Sequence, residues 1–195
     1  MYKVTTADIQ KLREMTDAGM MDCKKALEEA EGDMDKALII LKKKRSEAAD
    51  KKADRELGAG VVGTYTHNTN EVAAMVVLAC ETDFVAKNPE FVELAREIAM
   101  HVAAMNPAYV SRDEVDETAI EKAKEVFTAE IADKPADMQE KIMEGKLSAY
   151  FKDQILLEQP FVKNPDNTIG EMVTGAVQKF GENVTIAKVE RLSIK

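Results

Sequence analysis

Two histidines and two cysteines are all that this chain of 195 residues offers of the side chains most used as metal ligands and nucleophiles. The cysteines lack CxxC spacing, and there is no HExxH, no glycine-rich phosphate loop, and no serine or cysteine nucleophile with a histidine motif beside it. Carboxylates are plentiful, but they are scattered over helical segments in the manner of a solvated face. The expectation is a protein that is not an enzyme, with no cofactor and no metal. Cys23 and Cys80 each fall within an apolar-periodic segment and read as small buried hydrophobes. His101, in IAMHVAA, reads as a hydrogen-bonded core or boundary histidine, and His67 on a turn as a candidate contact residue.

Long apolar runs are missing too. No segment reaches the roughly eighteen uninterrupted apolar residues of a membrane span. Positive charge is also short: 27 Lys and Arg stand against 36 Asp and Glu, a net charge of −9. That balance disfavours nucleic acid and anionic membrane as partners, since both are held by excess Lys and Arg. The opening MYKVTTADIQKLR lacks the basic-then-apolar signature of a secretory signal, which makes the cytoplasm the expected location. By elimination, the partner is a protein.

What is present is an ordinary globular balance, 45% hydrophobic and 32% charged. A charge run without an apolar face, KKKRSEAADKKADRE from Lys42 to Glu56, divides the chain. Residues 1–42 form one domain, 43–58 a linker entered from a fraying helix end, and 59–195 a second domain. In the first, Thr5 or Thr6 caps a helix with Ile9, Leu12 and Met15 on one face, ending at Asp17-Ala18-Gly19. Asp22 caps a second helix carrying Cys23, Ala26, Leu27 and Ala30, stopped by Gly32. Asp33 caps a third with Met34, Ala37, Leu38 and Leu41 inward. Gly19-Met20-Met21 reads as a tight loop whose thioethers either plug the three-helix core or meet a partner groove. Arg13, one turn earlier, is either solvated or a contact.

In the second domain, Val61 to Thr66 and Glu71 to Cys80 read as strands joined by the turn His67-Asn68-Thr69-Asn70. A helix from Pro89 to Ala104 carries Phe91, Leu94, Ala95, Ile98 and Val102 along one stripe. Ser111 and Glu114 form a capping box for a helix through Ile131, ended by Lys134-Pro135. An amphipathic stretch from Met138 to Leu157 is interrupted near Gly145, and FVKNPDN reads as a loop. Thr168 opens a helix to Phe180, Gly181 stops it, and Asn183 to Ile194 alternates as a last strand. The fold class is α+β: three helices, then a small three-stranded antiparallel sheet covered by helices.

The stretch Leu78 to Phe91, LACETDFVAKNPEF, is where that domain changes character. An apolar β-branched run stops at Glu81-Thr82-Asp83, Phe84 follows at once, and Asn88-Pro89 announces a helix. An acid and a phenyl ring are thus placed side by side on a short connector, where binding residues are commonly carried. Asp83 and Phe84 read as a probe for another protein, although Thr82 and Asp83 also suit a helix cap.

LREMTDAGMMDCKKAL (Leu12 to Leu27) and ETDFVAKN (Glu81 to Asn88) resemble the two signature segments of the bacterial translation elongation factor Ts family. The resemblance runs on through IAMHVAA, KIMEGKL, QPFVKNP and FGENVTIAKVERL, so it covers essentially the whole chain. It implies a guanine nucleotide exchange factor that binds elongation factor Tu, GDP-bound and nucleotide-free, disturbs the Mg²⁺ and phosphate site, and lets GDP leave. The three-helix unit would be the family's ubiquitin-associated-like domain. Carried over by position, the partner-binding residues are Asp83 and Phe84 with their neighbours Thr82 and Val85, then Arg13, Met20, Met21 and, from the second half of longer members, His67. The chain resembles the short form, without the second core half and the helical-hairpin insertion. A homodimer that pairs the sheets or helices of two chains, with two factor Tu molecules bound, is what this implies. The competing expectation is a non-exchanging adaptor.

Overall fold

The computed structural model of the protein describes residues 3–16, 18–132 and 135–194. Asp17 and Lys134, used above to end two helices, lie outside the described residues. The elements are α1 (Thr6–Thr16), α2 (Met20–Glu29), α3 (Met34–Asp50), β1 (Ala59–Thr66), β2 (Val72–Cys80), α4 (Asp83–Ala86), α5 (Pro89–Met105) and α6 (Glu117–Ile131). There follow α7 (Ala136–Lys152), β3 (Pro160–Phe161), β4 (Asn164–Thr168), α8 (Ile169–Phe180) and β5 (Val184–Ser193). They group into two compact units. One comprises Met1–Gly60, Ala79–Lys87 and Glu171–Thr185; the other comprises Val61–Leu78, Asn88–Gly170 and Ile186–Lys195.

In the first unit α1 starts from a reciprocal cap: the Thr5 hydroxyl accepts the Asp8 N–H at 3.2 Å and the Asp8 carboxylate accepts the Thr5 N–H at 3.1 Å. Asp33 caps α3 through the Lys36 N–H at 3.0 Å, as the sequence indicates. Asp22 does not cap α2. That helix begins three residues earlier than an Asp22 cap would set, at Met20 after Gly19, so Asp22 lies in its first turn, where the helix dipole favours a carboxylate. Met20 and Met21 are consequently helical residues and not loop residues. Leu12, Cys23, Ala26, Leu27, Ala37 and Leu41 are buried together as the core of the three helices.

The stretch expected to fray after Lys42 continues α3 to Asp50. Lys and Arg are good helix formers, and here their heads find partners far along the chain. Lys42 pairs with Glu171 at 2.7 Å, Arg45 donates to Gln178 Oε1 at 2.7 Å and to the Thr16 carbonyl, and Lys52 donates to the Val177 carbonyl at 3.3 Å. These contacts hold α8 beside α3.

The second unit is built on a three-stranded antiparallel sheet in the order β1-β2-β5, with the hairpin turn placing Asn70 at φ 60. Ala74, Val76 and Leu78 of β2 are buried. So are Phe91, Ala95, Ile98, Ala99, His101, Val102 and Ala103 of α5, which Asn88 caps through the Glu90 N–H at 2.9 Å. A Cβ on Gly63 would stand 2.3 Å from the Ala95 carbonyl carbon and oxygen, so β1 and α5 meet backbone to backbone there.

Elsewhere three sequence expectations are corrected. Ser111 caps nothing; a 3-10 turn spans Arg112–Glu114, Glu114 accepts the Val110 N–H at 2.7 Å, and Asp116 caps α6 through the Ala119 N–H at 2.7 Å. Gly145 does not interrupt α7, which runs straight through it. FVKNPDN is not a plain loop but carries the β3–β4 hairpin, which pairs Pro160 with Thr168 and Phe161 with Asn164. In addition, α6 and α7 pack on one another as a helical hairpin. Glu130 pairs with Lys146 at 2.6 Å, and the Phe127 and Tyr150 rings meet edge to face at 5.6 Å. The sequence shows these as two separate amphipathic segments.

His101 is the hydrogen-bonded core histidine that the sequence indicates. Its Nδ1 accepts the Val162 N–H at 3.2 Å, which leaves Nε2–H to donate to Gln159 Oε1 at 2.9 Å; the Gln159 amide in turn donates to the Asp153 carbonyl at 2.6 Å. Burial holds its pKa below the ordinary 6.5, partly countered by Gln159. The unfolded chain therefore takes up a proton below about pH 6.5 that the folded chain refuses. Stability contributed by the neutral imidazole is complete above that pH and falls as pH drops toward the folded pKa, by at most about 1.4 kcal/mol per pH unit. Melting curves between pH 7 and pH 5 should show this slope in the native chain but not in His101→Gln. Parallel slopes for the two would refute it.

Candidate functional site

The pairing of β2 ends at Cys80, and the chain must then satisfy its backbone donors in some other way. Glu182, just past the end of α8, does so: its Oε2 accepts the N–H groups of Glu81 and Thr82, both at 3.0 Å, and its Oε1 accepts the Thr82 hydroxyl at 2.6 Å. A second set of bonds runs the other way. Glu81 Oε1 accepts the Asn183 N–H at 2.6 Å and a guanidinium N–H of Arg55 at 3.3 Å. The Asn183 side-chain amide donates to the carbonyls of Ala53 and Arg55, both at 3.1 Å. The Asn183 N–H, followed by Arg55, holds the Glu81 carboxyl below the usual carboxylate range. Gly181, at φ +75, ends α8 and turns the chain so that Glu182 and Asn183 arrive side by side.

Thr82 is the N-cap of α4, its hydroxyl accepting the Val85 N–H at 3.5 Å. α4 is a single turn of helix, and its successive side chains diverge. Val85 is 4% exposed and anchors the turn from inside, while Phe84 is 82% exposed, the most exposed of the large apolar side chains described. Asp83 is also exposed. It pairs with Lys87 one turn on at 2.6 Å, and the bond and charge of Lys87 lower its pKa. An ion pair this solvated is weak and can be given up to another partner. Cys80, buried, donates its thiol to the Thr82 carbonyl at 3.2 Å, and burial raises its pKa.

Of the other residues singled out in the sequence, Arg13 is exposed on α1, and Met20 and Met21 are 49% and 63% exposed in the first turn of α2. All three belong to the same compact unit as α4. His67 belongs to the other unit, exposed on the β1–β2 turn with its Nδ1 3.4 Å from the Tyr65 hydroxyl. Sequence reasoning missed Glu182, Asn183 and Arg55. The one available signal was an acid and an amide directly after the helix-stopping Gly181, a place where polar side chains tend to bond backbone.

Chemically, the site offers an exposed aromatic ring and a weakly paired carboxylate on a braced turn. Among the described residues no three His, Cys, Asp or Glu side chains are grouped to hold a metal ion, and no helix is long and apolar enough to cross a membrane. A protein-family model described as Elongation factor TS matches residues 4–195. Curated relatives named Elongation factor Ts include one from Carboxydothermus hydrogenoformans, 48% identical over 98% of this chain and 89% of its own length. Others are from Thermodesulfovibrio yellowstonii, 45% identical over 98% of this chain and 96% of the relative, and Fervidobacterium nodosum, 45% identical over 98% of each.

Proposed function

The chain belongs to the elongation factor Ts family, and from that premise we propose that it is a nucleotide exchange factor that drives GDP from elongation factor Tu with the Asp83-Phe84 turn. One observation carries the reading: a phenyl ring 82% exposed on a single helical turn that is capped, anchored and braced beneath it. A singly exposed apolar side chain is ordinary on a protein surface; what points to a partner here is the rigid capped and braced turn that presents the ring, the kind of supported connector on which binding residues are carried. Inserted into the GTPase, Phe84 acts as an apolar wedge, and Asp83, released from Lys87, draws on polar groups around the Mg²⁺ site. Exchange then needs no chemistry of its own. A partner that binds the nucleotide-free GTPase best must weaken nucleotide binding by the same factor.

Arg13, Met20 and Met21, on a three-helix unit read as ubiquitin-associated-like, supply a second contact, in which the adaptable thioethers suit a groove. Thr82 and Val85 hold the wedge, and His67 supplies a further contact from the second unit. The protein works in the cytoplasm. Release of a fluorescent GDP from factor Tu, chased with excess unlabelled GDP, should accelerate when the protein is added. An unchanged rate with a competent factor Tu would overturn the proposal.

The active form is a homodimer joined through the open face of the sheet. Supporting this, Thr64, Met75, Glu190 and Leu192 line one recess there, and Met75 and Leu192 remain exposed although apolar. Light scattering at micromolar concentration should give twice the chain mass, and Leu192→Glu should halve it. A native monomer would refute the dimer.

A further inference from the structure

Three donors converge on one carboxylate beneath the wedge: the N–H groups of Glu81 and Thr82 and the hydroxyl of Thr82. A carboxylate accepts from all three; a glutamine could keep both N–H bonds on its carbonyl oxygen, but its NH₂ would meet the Thr82 hydroxyl, which would have to turn and accept instead. Thr82 is at once the residue held by Glu182 and the cap of α4, so the direction in which Phe84 projects is set from outside its own helix. Glu182 itself is anchored through its neighbour Asn183, whose amide bonds the Ala53 and Arg55 carbonyls and whose N–H bonds Glu81. Two residues after Thr82 the ring stands 82% exposed.

We propose that Glu182 is a positioning residue for nucleotide release: its carboxylate pre-orients the Thr82–Phe84 turn so that the ring enters the partner without first having to be ordered. This rests on the exchange reading above. Without the clamp, water replaces the carboxylate at the two N–H groups and the hydroxyl, the cap loosens, and the ordering of Phe84 is charged to the release step. Docking through the remaining contacts is untouched.

The test uses the full chain and measures GDP release across factor concentration for the native protein, Glu182→Ala and Glu182→Gln, each also in a Phe84→Ala background. Removing the clamp should slow saturated release by about fivefold, the scale of ordering one side chain, with the half-saturating concentration moving by less than about twofold. Glutamine should fall between alanine and the native residue. In the Phe84→Ala background neither change should slow release further, because the ring through which Glu182 acts is gone. In the free protein, the Glu81 and Thr82 amides should exchange with solvent faster in Glu182→Ala while the melting temperature stays near native. If alanine abolishes cooperative melting, Glu182→Gln decides. Native-like release in the variants, or an equal slowing with and without Phe84, would overturn the positioning role while leaving exchange intact. A native chain that fails to accelerate release overturns the exchange reading and this inference with it.

Discussion

Replacing Phe84 by alanine is expected to remove most of the acceleration of GDP release, slowing saturated exchange by about thirtyfold. That is the consequence of losing an interface anchor worth about 2 kcal/mol. The same change should leave the free protein almost untouched, because a side chain 82% exposed contributes little to its own fold. Surface substitutions of this kind usually shift stability by no more than about 0.5 kcal/mol. Phe84→Leu should retain part of the activity, since it keeps an apolar wedge but not the rigid ring. Asp83→Ala should cost less than Phe84→Ala, because the carboxylate already has Lys87 as a solvated partner and must give it up to serve another. If Phe84→Ala exchanges like the native protein while folded, the wedge mechanism is wrong and the exchange contacts lie elsewhere.

The exposed Asp83-Phe84 turn was legible in the sequence because it sits at a change of pattern. An apolar β-branched strand ending in Glu-Thr-Asp, with Asn-Pro soon after, allows only a short exposed connector, and an aromatic residue there calls for a partner. The turn of helix at Asp83–Ala86 was half legible, through the capping tendency of Thr82. What braces it was not legible, because Glu182 meets Thr82 across a hundred residues and leaves no periodic trace. The start of α2 was misplaced for a related reason. Asp22 is a good cap in isolation, but an acid in the first turn is nearly as favourable, and Gly19 takes the cap position with no side chain to announce it. The β3–β4 pair escaped because β3 is only two residues long and β4 is polar, and Pro165 argues against a strand unless it lies at an edge. Likewise the charge run after Lys42 looked solvated because its partners on α8 are more than a hundred residues away.

The largest loss of stability is expected from the smallest change, Gly63→Ala. Gly63 sits in the middle of β1, where a side chain would ordinarily be welcome. The added Cβ would nevertheless lie 2.3 Å from the carbonyl carbon and oxygen of Ala95 and 2.7 Å from the nitrogen of Arg96. All three are backbone atoms of α5, so no rotamer can relieve the overlap, and helix and strand must separate. That separation also loosens the buried face of α5, which carries Phe91, Ile98 and His101. Overpacking in a core typically costs about 1–3 kcal/mol, and with backbone on both sides we expect the upper end or beyond. For a chain of this size that lowers the melting temperature by roughly 10 °C. Gly145→Ala is the opposite case: the glycine lies inside α7 with nothing within 4 Å of the added Cβ, so alanine should stabilise by roughly 0.5–1 kcal/mol. Two identical substitutions thus carry opposite signs, and thermal unfolding followed by circular dichroism reads both. A Gly63→Ala protein that melts with the native one would mean that β1 and α5 do not approach as closely as described.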